Sequence, residues 1–244
     1  MMVRALGIVA YAAFNAAFLY FIGFTLGVVV PRTVDSAGDT APLLAFAVDA
    51  SLIAFFGVVH SVMARAGFKQ GLSRILPRSA ERPLYVLVAS LQLALVCWQW
   101  QPVGGVVWSV GGGLGTLLLV LSALGWGLVL ASSYSIDHFE LFGLKQAFGR
   151  AAPAPVFRVP FLYRIVRHPL YLGILVGLWV APVMTGSHLL LAALFTVYIL
   201  VGVQHEERDL VRVFGDEYRR YRAAVPMLLP FPRPGRGVPE VRLT

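Results

Sequence analysis

Residues 170–205 read LYLGILVGLWVAPVMTGSHLLLAALFTVYILVGVQH, a run with no Asp, Glu, Lys or Arg. A bilayer core takes about 20 mostly apolar residues per helix, so this run is long enough for more than one pass. Pro182 removes a backbone donor, and Thr185-Gly186-Ser187 is turn chemistry. The run therefore divides into two shorter helices, 169–184 and 188–207, forming a helical hairpin. Working outward, the same reading finds uncharged or nearly uncharged stretches at 6–30, 43–64, 84–100 and 106–136. The expected fold is an all-α integral membrane protein with about six transmembrane helices. The apolar run at 6–30 exceeds a signal-peptide core and no clear cleavage site follows, so it is read as a helix.

Composition agrees. Of 244 residues 58% are hydrophobic and only 13% charged, against about 25% charged in soluble domains. Mean hydropathy is +0.77. One cysteine excludes a disulfide scaffold and a Cys-based zinc site, and no metal is expected. The net charge of +8 is explained by placement. With the N-terminus inside, Arg4, the groups 65–82 and 145–167, and the arginines from Arg208 onward all fall inside. Only Arg32 lies outside. This positive-inside pattern puts both termini in the cytoplasm, with anionic lipid, not nucleic acid, as the natural partner. Arginine outnumbers lysine 18 to 2, which suits a GC-rich bacterial genome and an inner membrane. Residues 1–230 read as one domain and 231–244 as a flexible tail.

Ionisable residues at membrane depth are the functional candidates. His60 lies near the inner end of the second helix. Asp137, His138 and Glu140 follow the fourth. Arg164, Arg167 and His168 lead into the fifth, and His205, Glu206 and Glu207 end the sixth. Asp49 stands alone inside a span and has no evident role. Pro169 suits the first helical position. The free N–H groups that follow, with Arg167, suit an anion such as a carboxylate. Gly173 permits close approach of a helix or ligand. Glu206 and Glu207 point about 100° apart and so serve different partners, such as an arginine and a ligand ammonium or ribose. Tyr218, Tyr221 and Val225 share one helical face flanked by Arg219, Arg220 and Arg222. That predicts an amphipathic helix on the cytoplasmic surface, as lipid anchor, lid or both.

Arg167-His168-Pro169-x-Tyr171-x-Gly173, then Glu206-Glu207-x-x-Leu210, Phe214-Gly215, Tyr218-x-x-Tyr221 and Val225-Pro226, resembles the isoprenylcysteine carboxyl methyltransferase superfamily. Asp137-His138-Phe139-Glu140-Leu141-Phe142-Gly143-Leu144-Lys145-Gln146, His60-Ser61-x-Met63-Ala64 and Trp98-Gln99-Trp100 resemble its nurim-like branch. The likeness spans about residues 45–230. It implies an S-adenosylmethionine-dependent membrane methyltransferase whose cofactor site is built mainly from 137–225. Tyr163, Arg167, His168, Tyr171 and Gly173 would line the methionine end. Glu206 and Glu207 would hold the amino group or ribose, and the loop with Gly143 and Leu144 would close over the adenosine. The acceptor implied is a small volatile thiol, methanethiol giving dimethyl sulfide, with His60, Phe139 and Glu140 near it.

A thiol is mostly protonated at neutral pH, and its thiolate is the nucleophile. A histidine can take the proton. His138 is the first choice, oriented by Asp137 or Glu140, with His168 and His60 as rivals. Two other readings stand beside this one: carboxyl methylation of a prenylated cysteine or similar lipophilic acceptor, and a non-enzymatic nurim-like membrane protein. No obligate protein partner is evident. A transporter is disfavoured because the polar residues gather at one face.

Overall fold

The structure is a computed structural model and describes residues 1–36, 38–150 and 157–231; the expected tail beyond Phe231 lies outside the described residues. Its elements are α1 (Met2–Leu26), α2 (Pro42–Ala64), α3 (Ala66–Leu72), α4 (Arg78–Gln99), β1 (Val106–Ser109), α5 (Gly112–Ile136), α6 (His138–Leu141), α7 (Leu144–Ala147), α8 (Phe161–Ile165), α9 (Pro169–Trp179), β2 (Val183–Thr185), α10 (Gly186–Phe214) and α11 (Asp216–Ala224).

Five of these helices, α1, α2, α4, α5 and α10, are long and apolar enough to cross a bilayer. Between 22% and 39% of each apolar stretch is buried by the protein itself. The remainder of each helix presents leucine, valine and phenylalanine outward, which only lipid can cover. The protein is an integral membrane protein.

Two expected boundaries are corrected. The helix expected from 169 to 184 stops at Trp179. Eleven residues rise about 16 Å, roughly half a bilayer core. Beyond it, Pro182 cannot continue a helix, and its carbonyl instead accepts the Val110 N–H at 2.8 Å. The fourth apolar stretch is helical only from Gly112, because Val106–Ser109 pairs antiparallel with Val183–Thr185. The architecture is thus helical with one small ribbon at the end of the bundle away from the arginine clusters.

α1 lies along α4, and α5 lies along α9. The α5–α9 seam is made by glycines. A Cβ on Gly173 would sit 2.6 Å from the Gly125 carbonyl oxygen, and one on Gly125 would sit 2.6 Å from the Gly177 nitrogen. Small residues four apart let two backbones meet where lipid supplies no hydrophobic drive. Ser122 adds a 2.8 Å bond to the Gly177 carbonyl. The main core lies between the helices and is aromatic, with Phe18, Phe21, Phe24, Trp100, Trp126 and Phe195.

At the ribbon end, Asp49 is fully buried and its Oδ1 accepts the Gln101 N–H at 2.8 Å. It ties α2 to the chain just past α4. At the opposite end, α11 folds back after Gly215. Tyr218, Tyr221 and Val225 pack with Val159 and Phe157. The face expected to meet lipid is therefore covered by the protein's own chain, and Val225 lies one residue past the helix.

Candidate active site

The end of the bundle that holds the starts of α1, α4 and α9 and the ends of α2, α5 and α10 collects three polar clusters.

The first is a clasp around Glu207. Arg167 donates from Nε and Nη2 to Glu207 Oε1, both at 2.7 Å. His168 Nε2 lies 3.1 Å from the same oxygen, and Arg222 Nη1 lies 3.9 Å from Oε2. Arg167, His168 and Glu207 are all buried. The other guanidinium arm donates to the carbonyls of Arg222 at 3.0 Å and Val225 at 2.6 Å. The backbone N–H groups of Arg167 and His168 donate to the carbonyls of Pro226 and Met227 at 2.8 and 3.2 Å. Arg167 is thus largely engaged within the protein. Its donors are committed to a carboxylate from α10 and to the chain after α11. A buried charge needs such partners, since leaving it unpaired costs several kcal/mol.

The second cluster is open. Glu206 is exposed, and Tyr171 donates to its Oε2 at 2.9 Å. Its carboxylate acts electrostatically on Tyr85, Tyr163, Tyr171 and Tyr198. Burial, then Glu206, holds the Tyr163 phenol well above its ordinary range. The Tyr163 carbonyl accepts the Tyr221 hydroxyl at 2.7 Å. His60 joins this cluster from α2, hydrogen-bonded through Nε2 to the Tyr85 hydroxyl. The two carboxylates, adjacent in sequence, meet different protein partners. Glu207 faces protein cations, and Glu206 is exposed with Tyr171 as its hydrogen-bond donor.

The third cluster is closed. His138 is buried, with Nδ1 2.8 Å from the Ser133 hydroxyl and Nε2 2.9 Å from the Tyr11 hydroxyl. Its ring stacks on Tyr134 at 4.1 Å. Both nitrogens are engaged by protein, and through them His138 ties α1, α5 and α6 together. Asp137 does not orient it. Its Oδ1 accepts the Glu140 N–H at 3.1 Å, capping α6, and its Oδ2 meets Lys145. Phe139 edges onto Tyr11 and Tyr134, and Glu140 is half-buried in the same turn.

Gly143 and Leu144 also have structural surroundings. Gly143 has φ +79, and a Cβ there would meet the Pro83 nitrogen at 2.7 Å. Arg82 Nε donates to the Leu141 carbonyl at 2.8 Å. Leu144 and Ala147 lie against Gly7 of α1. This loop therefore packs on α1 and α4. Gly173 sits in the α5–α9 seam, where Gly125 and Val129 cover it.

Sequence reasoning missed Tyr11, Ser133 and Tyr134 around His138, and Arg82, Tyr85 and Tyr198 around His60. One signal was available. Arg82-Pro83-Leu84-Tyr85 repeats the Pro-Leu-Tyr step of His168-Pro169-Leu170-Tyr171. Each places a tyrosine two residues past a proline near a helix start, and each hydroxyl bonds a candidate site residue.

Residues 114–217 match the family described as "Phospholipid methyltransferase". The chain is 49% identical over 232 residues to "Methanethiol S-methyltransferase 1" of Bradyrhizobium diazoefficiens, covering 93% of this chain and 81% of that one. It is 49% identical to "Methanethiol S-methyltransferase" of Mycobacterium tuberculosis, covering 93% and 95%. It is 33% identical to "Nurim" of Mus musculus over 70% of each. No solved structure matches. Identity of that extent over most of both chains is that of a shared fold and enzyme type: the chain belongs to the membrane methyltransferase family that contains the methanethiol S-methyltransferases and, more distantly, nurim.

Proposed function

We propose that this enzyme transfers the methyl group of S-adenosylmethionine to methanethiol, forming dimethyl sulfide. Residues 1–230 act as one domain. The site lies at the cytoplasmic face of a bacterial inner membrane, with both termini inside. The distribution of basic residues supports that orientation. The acceptor assignment rests on the relatives named for that substrate.

The single observation that carries the reading is the division of labour between Glu206 and Glu207. A buried carboxylate neutralised by Arg167 and hydrogen-bonded to His168 makes a rigid floor. An exposed carboxylate beside it stays free for a cation. The residues present fit the cofactor. The buried Tyr218 hydroxyl has no protein partner among the described residues, and it lies within the field of both glutamates and Arg167. Glu206 and Tyr171 would hold the amino group or ribose, and Tyr218 would supply a further hydroxyl. The N–H groups of Leu170 and Tyr171 in the first turn of α9 precede the first intrahelical bond, from the Leu172 N–H to the His168 carbonyl, and would suit a carboxylate. When bound, the cofactor supplies an electrophilic methyl group on a sulfonium. The protein's contribution is to position the acceptor in line, exclude water and accept one proton.

The test is calorimetric titration of S-adenosylhomocysteine into detergent-purified protein, followed by headspace detection of dimethyl sulfide from methanethiol. Binding in the native protein, weakened about 10- to 100-fold in Glu206→Ala as a charge-assisted bond is lost, is the expected result. A folded, monodisperse native protein that does not bind would overturn the reading.

A further inference from the structure

His60 sits one turn from the end of α2, in a chamber of rings. Phe56 stacks on it with centroids 5.4 Å apart, Tyr85 lies 4.6 Å away, and Tyr198 meets it edge-on at 6.2 Å. Its Nε2 is bonded to the Tyr85 hydroxyl. Its Nδ1 is buried and has no hydrogen-bond partner among the described residues. α2 and α10 are drawn together at this level by Gly57, where a Cβ would stand 3.0 Å from the Tyr198 ring. Tyr198 stands about two turns before the exposed Glu206 on α10, so the chamber borders the same helix as that carboxylate. Arg82 lies over the Tyr85 ring at 5.1 Å, so the tyrosine that orients His60 is itself fixed.

His138 offers the opposite arrangement, with both nitrogens occupied by the Tyr11 and Ser133 hydroxyls. A general base needs a free lone pair at the reacting atom and a partner that fixes its tautomer. Among the histidines described, the His60–Tyr85 pair meets both needs beside the open carboxylate.

We propose that His60, held by Tyr85, takes the proton from the acceptor thiol; this rests on the methyl-transfer reading above. With its own proton on Nε2 and donated to the Tyr85 oxygen, the ring presents a bare lone pair at Nδ1. The thiol S–H bond breaks, an Nδ1–H bond forms, and the electron pair stays on sulfur. The thiolate then forms the new S–C bond, while the donor's C–S pair returns to the donor sulfur. The imidazolium forms with the Arg82 cation nearby, so it is short-lived and passes its proton on to water. The surrounding Phe56, Tyr85 and Tyr198 rings keep water from the sulfur until transfer.

The test compares native enzyme with His60→Gln, which retains size and a polar group for Tyr85 but cannot take up a proton. S-adenosylhomocysteine binding by calorimetry comes first. Absence of binding in the native enzyme overturns the methyl-transfer reading, and this proposal with it. With binding equal in both forms, kcat for methanethiol should fall about 100-fold with little change in KM. The ultraviolet absorbance of thiolate in the dead-end complex of enzyme, S-adenosylhomocysteine and thiol should vanish in the variant. A His60→Gln enzyme that turns over within about 3-fold of native, or that still shows the thiolate band, overturns the assignment of His60. If that variant does not fold, Tyr85→Phe carries the test. It keeps the ring packing and should lose about 10-fold in kcat with a weakened thiolate band, and native values for both would equally overturn the proposal.

Discussion

The Glu207 clasp and the His138 tie lie at the same end of the bundle and use the same vocabulary of histidine, carboxylate, tyrosine and cation. They differ in what they leave free. The tie uses both His138 nitrogens on Ser133 and Tyr11 and spends Asp137 on a helix cap and Lys145. The clasp consumes Arg167 and Glu207 on each other and on the chain after α11, yet presents Glu206 on the next residue. A polar motif at membrane depth is therefore not in itself a site. What marks a site is a charged group whose neighbours are satisfied and which is itself left exposed to a ligand.

The contrast breaks first at Arg167. Replacing it by Met strands a buried carboxylate and frees two carbonyls, so the folded protein should lose about 3–5 kcal/mol in detergent unfolding. Adding Glu207→Leu should recover most of that loss, because removing both charges leaves only the two carbonyls unpaired. A single variant as stable as native would mean that the clasp is not what secures the C-terminal segment. Next comes Gly173→Val. The seam it occupies sets the spacing between the α5 end, which carries the tie, and the α9 start, which carries the clasp. With the Gly125 carbonyl 2.6 Å from the added Cβ, a loss of about 1–3 kcal/mol is expected, together with weaker S-adenosylhomocysteine binding. Unchanged binding in a destabilised protein would separate the seam from the site.

His138→Ala tests the tie directly. Loss of two hydrogen bonds and a stacked ring should cost about 2 kcal/mol of stability. Turnover per folded enzyme should stay within about 2-fold of native. Turnover falling about 100-fold at intact stability and cofactor binding would restore His138 as the base and undo the comparison.

The apolar spans were legible because lipid demands long uncharged runs, a constraint written locally in the chain. The errors came where the constraint is nonlocal. Val106–Ser109 reads as the start of a helix because its strand partner, Val183–Thr185, lies about 75 residues away. α10 runs past the expected end at 207 to Phe214, its last turns supported by an exposed Asp209–Arg212 pair at i, i+3. In the site, the cluster members Arg167, His168, Tyr171, Glu206 and Glu207 were readable from residue type and position. Their roles were not. Arg167 looks like an anion fork until its carboxylate, forty residues on, is seen to fill it. His138 stands out in the sequence as a histidine at a helix end, but its bond to Tyr11, 127 residues earlier, does not. Local sequence shows which groups are costly to bury, and the fold decides whether protein or ligand satisfies them.

The smallest expected effect is the pH response of the tie. Burial holds the His138 imidazole below its ordinary value of 6.5, opposed only in part by Asp137. The unfolded chain thus takes up a proton that the folded one refuses. His138 leaves stability untouched well above pH 6.5 and removes some as pH falls below it. Asp137 behaves differently. Its bond to Lys145, foremost, holds its carboxyl below the ordinary 3.8, so the stability it contributes is present above that value and is lost only in stronger acid. The two windows are separate. Between pH 7.5 and 5.5 the thermal midpoint of the native protein should drop by about 1–3 °C through His138 alone. His138→Phe should remove that part of the slope. Asp137→Asn should steepen it, by withdrawing the one neighbouring charge that favours the imidazolium. A slope unchanged in His138→Phe would mean that the buried ring is not excluded from protonation, and that the tie is looser than its two hydrogen bonds imply.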